Sequence, residues 1–297
     1  MLNITRAFKQ PRLMKAITGL SPGEFATLLP TFQACFVSSR KRADIRIGFG
    51  RPHTLDTTEQ KLFFILFYVK CYPTYDLLSL TFDRDRRRAH EWVQELLSVL
   101  KKSLKREIVL PKRKLRSVEE FLELFPEVRD IWMDGTERPR RRPKDKQRQK
   151  DLYSGKKKRH TLKNIVMSDK EKRILLLTPT VAGRRHDYEI CKRIKLPDKI
   201  PEEVRAWLDC AFQGIETDYP KLRISKPKRA SRSHPLTDAE RETNRKISQK
   251  RVKVEHAIGG MKRFRSLTDT LRNWHDKFAD DLVLVGAGLW NFHLKMS

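Results

Sequence analysis

Three acidic residues, Asp134, Asp209 and Glu255, stand far apart in the chain yet share a setting in which they could do metal chemistry. Asp134 ends the apolar run Ile131-Trp132-Met133, and Gly135 then turns the backbone away. Asp209 ends a second strand-like run, Val204 to Leu208. Glu255 lies in a long polar helix, with Arg251 four residues before it and Lys262 seven after. Three carboxylates brought to one edge of a sheet offer only oxygen ligands, which suit a hard divalent cation such as Mg²⁺. Two such ions about 4 Å apart can activate a nucleophile and stabilise the leaving oxygen of a phosphodiester. Spacings of four and seven put Arg251, Glu255 and Lys262 on one helix face, where the two cations could hold phosphates. By spacing alone, Arg251 with Glu255 is equally an ordinary helix-surface pair, and Asp134-Gly135 an ordinary turn.

The elements that must position these groups follow from periodicity and turn residues. From Arg138 to Arg159 there are twelve basic and two acidic residues, which read as an exposed loop or β-turn arm with its turn at Tyr153-Ser154-Gly155. Strands His160–Met167 and Arg173–Thr180 flank a short polar hairpin turn, and Gly183 ends the second. Asp187 reads as the cap of a helix through Lys195 rather than as a ligand. The strand before Asp209, a short strand at Leu222–Ile224 and a basic loop at 225–236 come next. Thr237-Asp238-Ala239-Glu240 is a capping box that opens the long helix past Met261, and Phe278 to Leu294 form a final apolar helix.

The N-terminal third is helical. Ser21-Pro22-Gly23-Glu24 starts a helix with apolar residues at helical spacing, closed by Arg40-Lys41-Arg42 before a loop at 43–53. Asp56 with Glu59 resembles a second capping box, ahead of the Leu62–Val69 run that belongs at a domain centre. A break at Tyr72-Pro73-Thr74, a short helix from Tyr75 to Phe82 and a longer helix starting near Asp83 to Asp85 follow. Ala89, Trp92, Val93, Leu96, Leu97 and Leu100 share one face of that last helix, and Arg84, Arg86, Arg87 and Arg88 crowd its start. This is a helix-turn-helix pattern, in which the beginning of the last helix enters the DNA major groove. The competing reading is a helical bundle with a basic solvated face, since the turn at 82–85 lacks the usual glycine. Residues 101–118 read as a basic connector.

Charge narrows the partners. A net charge of +28 over 297 residues, with 38 % hydrophobic and 34 % charged residues, points to a polyanion. The longest apolar run, Leu62 to Val69, is well short of the about 20 residues that span a bilayer. No membrane partner and no signal peptide are expected. The four cysteines lie far apart with no C-x-x-C pair, which fits buried free thiols in a reducing cytoplasm rather than a zinc site.

The segments MDGTERP, YSGKKKRHTLK, LDCAFQG and RVKVEHAIGGMKRFR resemble the DDE transposases of bacterial insertion sequences. More narrowly, they are similar to the insertion-sequence-five-like group, related to Harbinger transposases, which carry an N-terminal helix-turn-helix. The resemblance spans about 130–293 closely and 55–100 more loosely. It implies a ribonuclease H-like α/β catalytic domain at 126–297, with a mixed sheet flanked by helices. An all-α DNA-binding domain would occupy 1–104, and a basic linker with a short helix 105–125. It also implies binding of double-stranded DNA at the element's terminal inverted repeats, as a homo-oligomer on paired ends, in the bacterial cytoplasm at the nucleoid. Asp134 and Asp209 match the two aspartates and Glu255 the glutamate, together holding two Mg²⁺ or Mn²⁺ ions; Asp218 competes for the second position with lower standing, because it follows Gly214 rather than ending the strand. Arg251, Glu255 and Lys262 meet the Y-x2-R-x3-E-x6-K signature, whose tyrosine is Ser248 here. Arg251, Lys262, Arg138, Lys156, Lys157 and Lys158, with Arg84, Arg86, Arg87 and Arg88, would contact DNA. Two alternatives stay open: a DNA-binding protein without catalysis, and a ribonuclease H-type nuclease without strand transfer.

Overall fold

The structure, a computed structural model, describes residues 4–41, 55, 57–230 and 235–297. The loop expected at 43–53 and Asp56 lie outside these, as does part of the basic loop at 225–236. The chain forms two compact units: Met1–Leu110 with Met261–Ser297, and Pro111–Gly260.

The first unit opens with α1 (Ile4–Lys9), α2 (Pro11–Thr18), α3 (Pro22–Lys41), α4 (Thr58–Cys71), α5 (Tyr75–Phe82) and α6 (Arg86–Arg106). At the start of α3 the Ser21 amide donates to the Glu24 carboxylate at 2.6 Å, and the Glu24 amide to Ser21 Oγ at 3.3 Å. The capping box of α4 is Thr57 with Gln60, one residue later than the Asp56–Glu59 box expected. As its all-round apolar sequence requires, α4 is central: Leu62 to Leu66 are buried, and Phe64 meets Phe82 and Trp92 edge-on at 4.9 and 5.6 Å. The turn into α6 forms without glycine because Asp83 takes the left-handed conformation itself, at φ 54°, which aspartate tolerates better than most residues. Asp85 then caps α6 by accepting from the Arg88 amide at 2.9 Å. The expected stripe from Ala89 to Leu100 is buried, and α6 continues past the predicted connector start because Ser103 and Leu104 are buried too.

The second unit contains α7 (Val118–Leu124), β1 (Asp130–Pro139), α8 (Lys146–Leu152), β2 (Tyr153–Ser154), β3 (Arg159–Ser168), β4 (Ile174–Leu177), β5 (Val181–Ala182), α9 (Asp187–Arg193), β6 (Arg205–Trp207), α10 (Ile215–Asp218), β7 (Arg223–Ser225) and α11 (Asp238–Lys262), the unit ending within α11 at Gly260. Its mixed sheet has the order β2-β3-β1-β6-β7, with β4 and β5 also paired to β3. β1 runs antiparallel to β3 and parallel to β6, and β6 parallel to β7. This is the α/β, ribonuclease H-like class expected. Two local expectations are corrected. β1 does not turn at Gly135; it stays paired with β3 as far as Pro139, because β3 is long enough to match it residue for residue. The basic segment holds more than the expected loop or β-turn arm: α8, capped by Asp145, precedes the β2–β3 hairpin.

The chain then returns to the first unit with α12 (Asp276–Met296). The last helix therefore packs with the helical unit. Its apolar face explains this: Gly288 leaves room for Leu104 and Leu110, where a Cβ would meet Leu110 at 2.6 Å. Lys101 pairs with Asp281 at 2.6 Å, and Asn291 donates to the Val109 carbonyl at 2.9 Å. No described helix is long and apolar enough to cross a membrane. All four cysteines are free, but only Cys191 is fully buried.

Candidate active site

The pleat of β1 and β6 decides which side chains meet. Trp132 on β1 sits in register with Trp207 on β6, and their rings stack at 6.2 Å. Asp134 and Asp209 each lie two residues beyond these tryptophans, so by alternation both carboxylates project to the tryptophan face. That face is the one α11 covers: Lys253 lies 4.8 Å from the Trp132 ring and Lys250 5.9 Å from the Trp207 ring. Between those lysines, Arg251 reaches both acids, 4.0 Å from Asp134 and 3.5 Å from Asp209. The opposite face carries the apolar core, with Ile131, Met133, Ile165 and Met167 packed against Tyr188 and Cys191 of α9.

Asp134 is pushed up to about 6 from the ordinary 3.8. Burial is the main cause, with repulsion from Asp209 and Asp187 adding to it; the Gly135 amide, donating to Oδ1 at 2.7 Å, and Arg251 act the other way. A crowded carboxylate that resists its own charge has a standing demand for a cation. The guanidinium meets it only loosely, beyond the 2.7–2.9 Å typical of charge-assisted hydrogen bonds. A divalent ion fits the pair, since the donors are all oxygen and already share one cation. The third expected ligand is not gathered with them. Glu255 is exposed one turn along α11, and among the described residues no group of three or more Asp, Glu, His or Cys could hold a metal.

The expected phosphate-binding residues divide. Lys156, Lys157 and Lys158 are exposed at the β2–β3 turn. Arg86, Arg87 and Arg88 are exposed at the start of α6, Arg84 less so, with Arg87 and Arg88 both paired to Glu91 at 3.1 and 3.0 Å. Lys262 is the last residue of α11. Arg138 is a correction: it is 2 % exposed and donates to Asn164 and the Thr180 hydroxyl, so it is not available to DNA. It shares the inward parity of Trp132 and Asp134, which an arm that left the sheet would not have. Asp187 is a second correction. It is the first residue of α9 rather than its cap, and it pairs instead with Lys163 at 3.0 Å. Sequence reasoning also missed the tryptophan pair and its lysines. A signal existed: Trp-x-Asp occurs at 132–134 and again at 207–209.

Residues 133–291 match the model of the DDE superfamily endonuclease family, and residues 53–106 that of the helix-turn-helix of DDE superfamily endonuclease. The second match covers α4, α5 and α6. Among curated proteins, the chain is 30 % identical over 289 residues to a probable transposase for insertion sequence element IS702 of Microchaete diplosiphon, covering 96 % of this chain and 95 % of that one. No solved structure matches the chain. With the helix-turn-helix helices and the sheet-borne aspartates in place, the chain belongs to the DDE-superfamily endonucleases, as a transposase of the insertion-sequence type.

Proposed function

We propose that this transposase cuts DNA at the terminal inverted repeats of its own element and joins the freed ends to a target, using Mg²⁺ or Mn²⁺ held by Asp134 and Asp209. The observation that carries this reading is the pair of aspartates, Asp134 on β1 and Asp209 just beyond β6, sharing one loosely held guanidinium. Bound there, two metal ions would activate the attacking oxygen and stabilise the departing one. Water serves as nucleophile for cutting and a DNA 3′-hydroxyl for joining, so no side chain need be covalently modified. Arg251 gives up the carboxylates and takes a phosphate, and Glu255, one turn away, becomes the third acid. Lys156, Lys157, Lys158 and Lys262 bind backbone phosphates, and Arg84, Arg86, Arg87 and Arg88 bring α6 to the element's ends, with two or more copies acting on paired ends. The test is divalent-dependent cleavage of DNA carrying those ends. Asp134→Asn should lower the rate by at least about a hundredfold, the scale seen when one preorganised charged or polar group is removed; cutting at the wild-type rate rules the assignment out.

One observation favours a second reading, a DNA-binding protein without catalysis: Glu255 stands apart from the two aspartates. Specific binding with no nicking in Mg²⁺ or Mn²⁺ would select it. Cutting without joining would select a nuclease instead.

A further inference from the structure

We propose that Asp187 is a positioning residue for Asp134, acting through Gly135. The inference rests on the reading of Asp134 as a metal-holding carboxylate. Lys163 on β3 lies 3.0 Å from the Asp187 carboxylate and 3.4 Å from that of Glu137 on β1, and it donates to the Arg185 carbonyl at 2.8 Å. Glu137 also accepts from the Thr161 hydroxyl at 2.6 Å. The three charged side chains are 10 % exposed or less. A buried set of two acids and one lysine is expensive to desolvate, and starting α9 does not require it, because Asp187 makes no helix cap.

What the set does make is a contact with β1. Gly135 is outside the left-handed region, so its lack of a side chain serves space rather than conformation. The Asp187 carboxylate fills that space: a Cβ on residue 135 would meet Oδ2 at 2.5 Å and Oδ1 at 2.7 Å. The backbone so held is the one whose amide donates to Asp134 Oδ1 at 2.7 Å. Lys163 anchors Asp187, Asp187 presses on the Gly135 α-carbon, and the Gly135 amide aims the Asp134 carboxylate on the other face of the sheet.

The experiment measures Mn²⁺ affinity of the full-length, DNA-free protein by electron paramagnetic resonance, alongside thermal melting and plasmid nicking. Gly135→Ala should weaken Mn²⁺ binding by about tenfold to a hundredfold, the range for groups that orient a metal ligand. Asp187→Ser should weaken it less, and the double variant should match Asp187→Ser alone, because the smaller side chain clears the added methyl. Additive losses, or a Gly135→Ala protein that binds Mn²⁺ as the wild type does, overturn the proposal. Asp187→Asn carries the test if Gly135→Ala does not fold. It keeps the shape and loses the pair with Lys163, so Mn²⁺ affinity should fall while DNA affinity stays unchanged; wild-type Mn²⁺ affinity overturns the proposal. Asp134→Asn in the same series separates the two levels. If it too binds Mn²⁺ normally, the metal-holding reading fails; if it alone loses Mn²⁺, only the positioning role of Asp187 fails.

Discussion

The helical unit and the sheet unit use charge in opposite ways. Around α4 the interior is aromatic and aliphatic, and the arginines at the start of α6 stay in water. In the sheet unit, Arg138, Arg140, Lys163, Asp169 and Asp187 are all less than a tenth exposed. Exposed cations draw in a polyanion without ordering it, whereas buried ones cost desolvation and are worth keeping where they fix a geometry. The first arrangement suits finding DNA, and the second suits holding two aspartates where their own charges resist it.

The largest effect should come from the apolar interior: Phe64→Ala, which removes the ring between Phe82 and Trp92, should cost about 3–5 kcal/mol of unfolding free energy. Denaturant unfolding that shifts by less than a third of this would mean the core of the helical unit is not packed around α4. Next is Arg251→Gln. Without the guanidinium the two aspartates lose their internal cation, so DNA-free protein should bind Mn²⁺ about tenfold more tightly, a coupling of about 1.4 kcal/mol for a partly solvated pair. The same variant should melt lower without metal and recover with it. Unchanged Mn²⁺ titration would show that Arg251 does not stand in for metal.

An effect of similar size is expected at Glu24, a buried charge in the largely apolar interior of the helical unit. Burial alone would raise its pKa, but the Ser21 amide and His293 outweigh it, and the net shift is below the ordinary 4.5. A carboxylate lowered on folding stabilises above its unfolded pKa, and that contribution is lost as pH falls through the lower folded value. Glu24→Gln should therefore cost about 1–2 kcal/mol at neutral pH, the worth of a charged hydrogen bond. The gap in melting temperature should close as pH drops below 4.5; a gap that widens in acid would reverse the sign argued here. The smallest effect is at the exposed arginines. Arg87→Ala should reduce the slope of log affinity for DNA against log salt by about 0.9, one phosphate contact, with no change in melting. An unaltered slope would remove Arg87 from the DNA face.

Much of the helical unit was legible because its periodicity and caps are local. Tyr75–Phe82 appears where the break at Tyr72-Pro73-Thr74 puts it, and the Leu62–Val69 helix is central because it is apolar on most sides. The basic segment after Pro139 was misread for the converse reason. Composition reports charge but not parity, so it could not tell Arg138, turned inward by the pleat, from Lys156 at a hairpin tip.

Turns, caps and alternation act over a few residues, and they were enough to order the main strands and helices and to put Asp134 on a strand, Asp209 just past one and Arg251 with Glu255 on a helix. Three outcomes emerge only in the folded chain: Asp134 sits within a continuous strand, Arg251 rather than Glu255 faces the aspartates, and Asp187 reaches Gly135 from the far side of the sheet. Those outcomes depend on which strands pair and which helix covers which face. The aspartates near 134 and 209 become neighbours only through the parallel pairing of β1 with β6, a long-range register that no local pattern encodes.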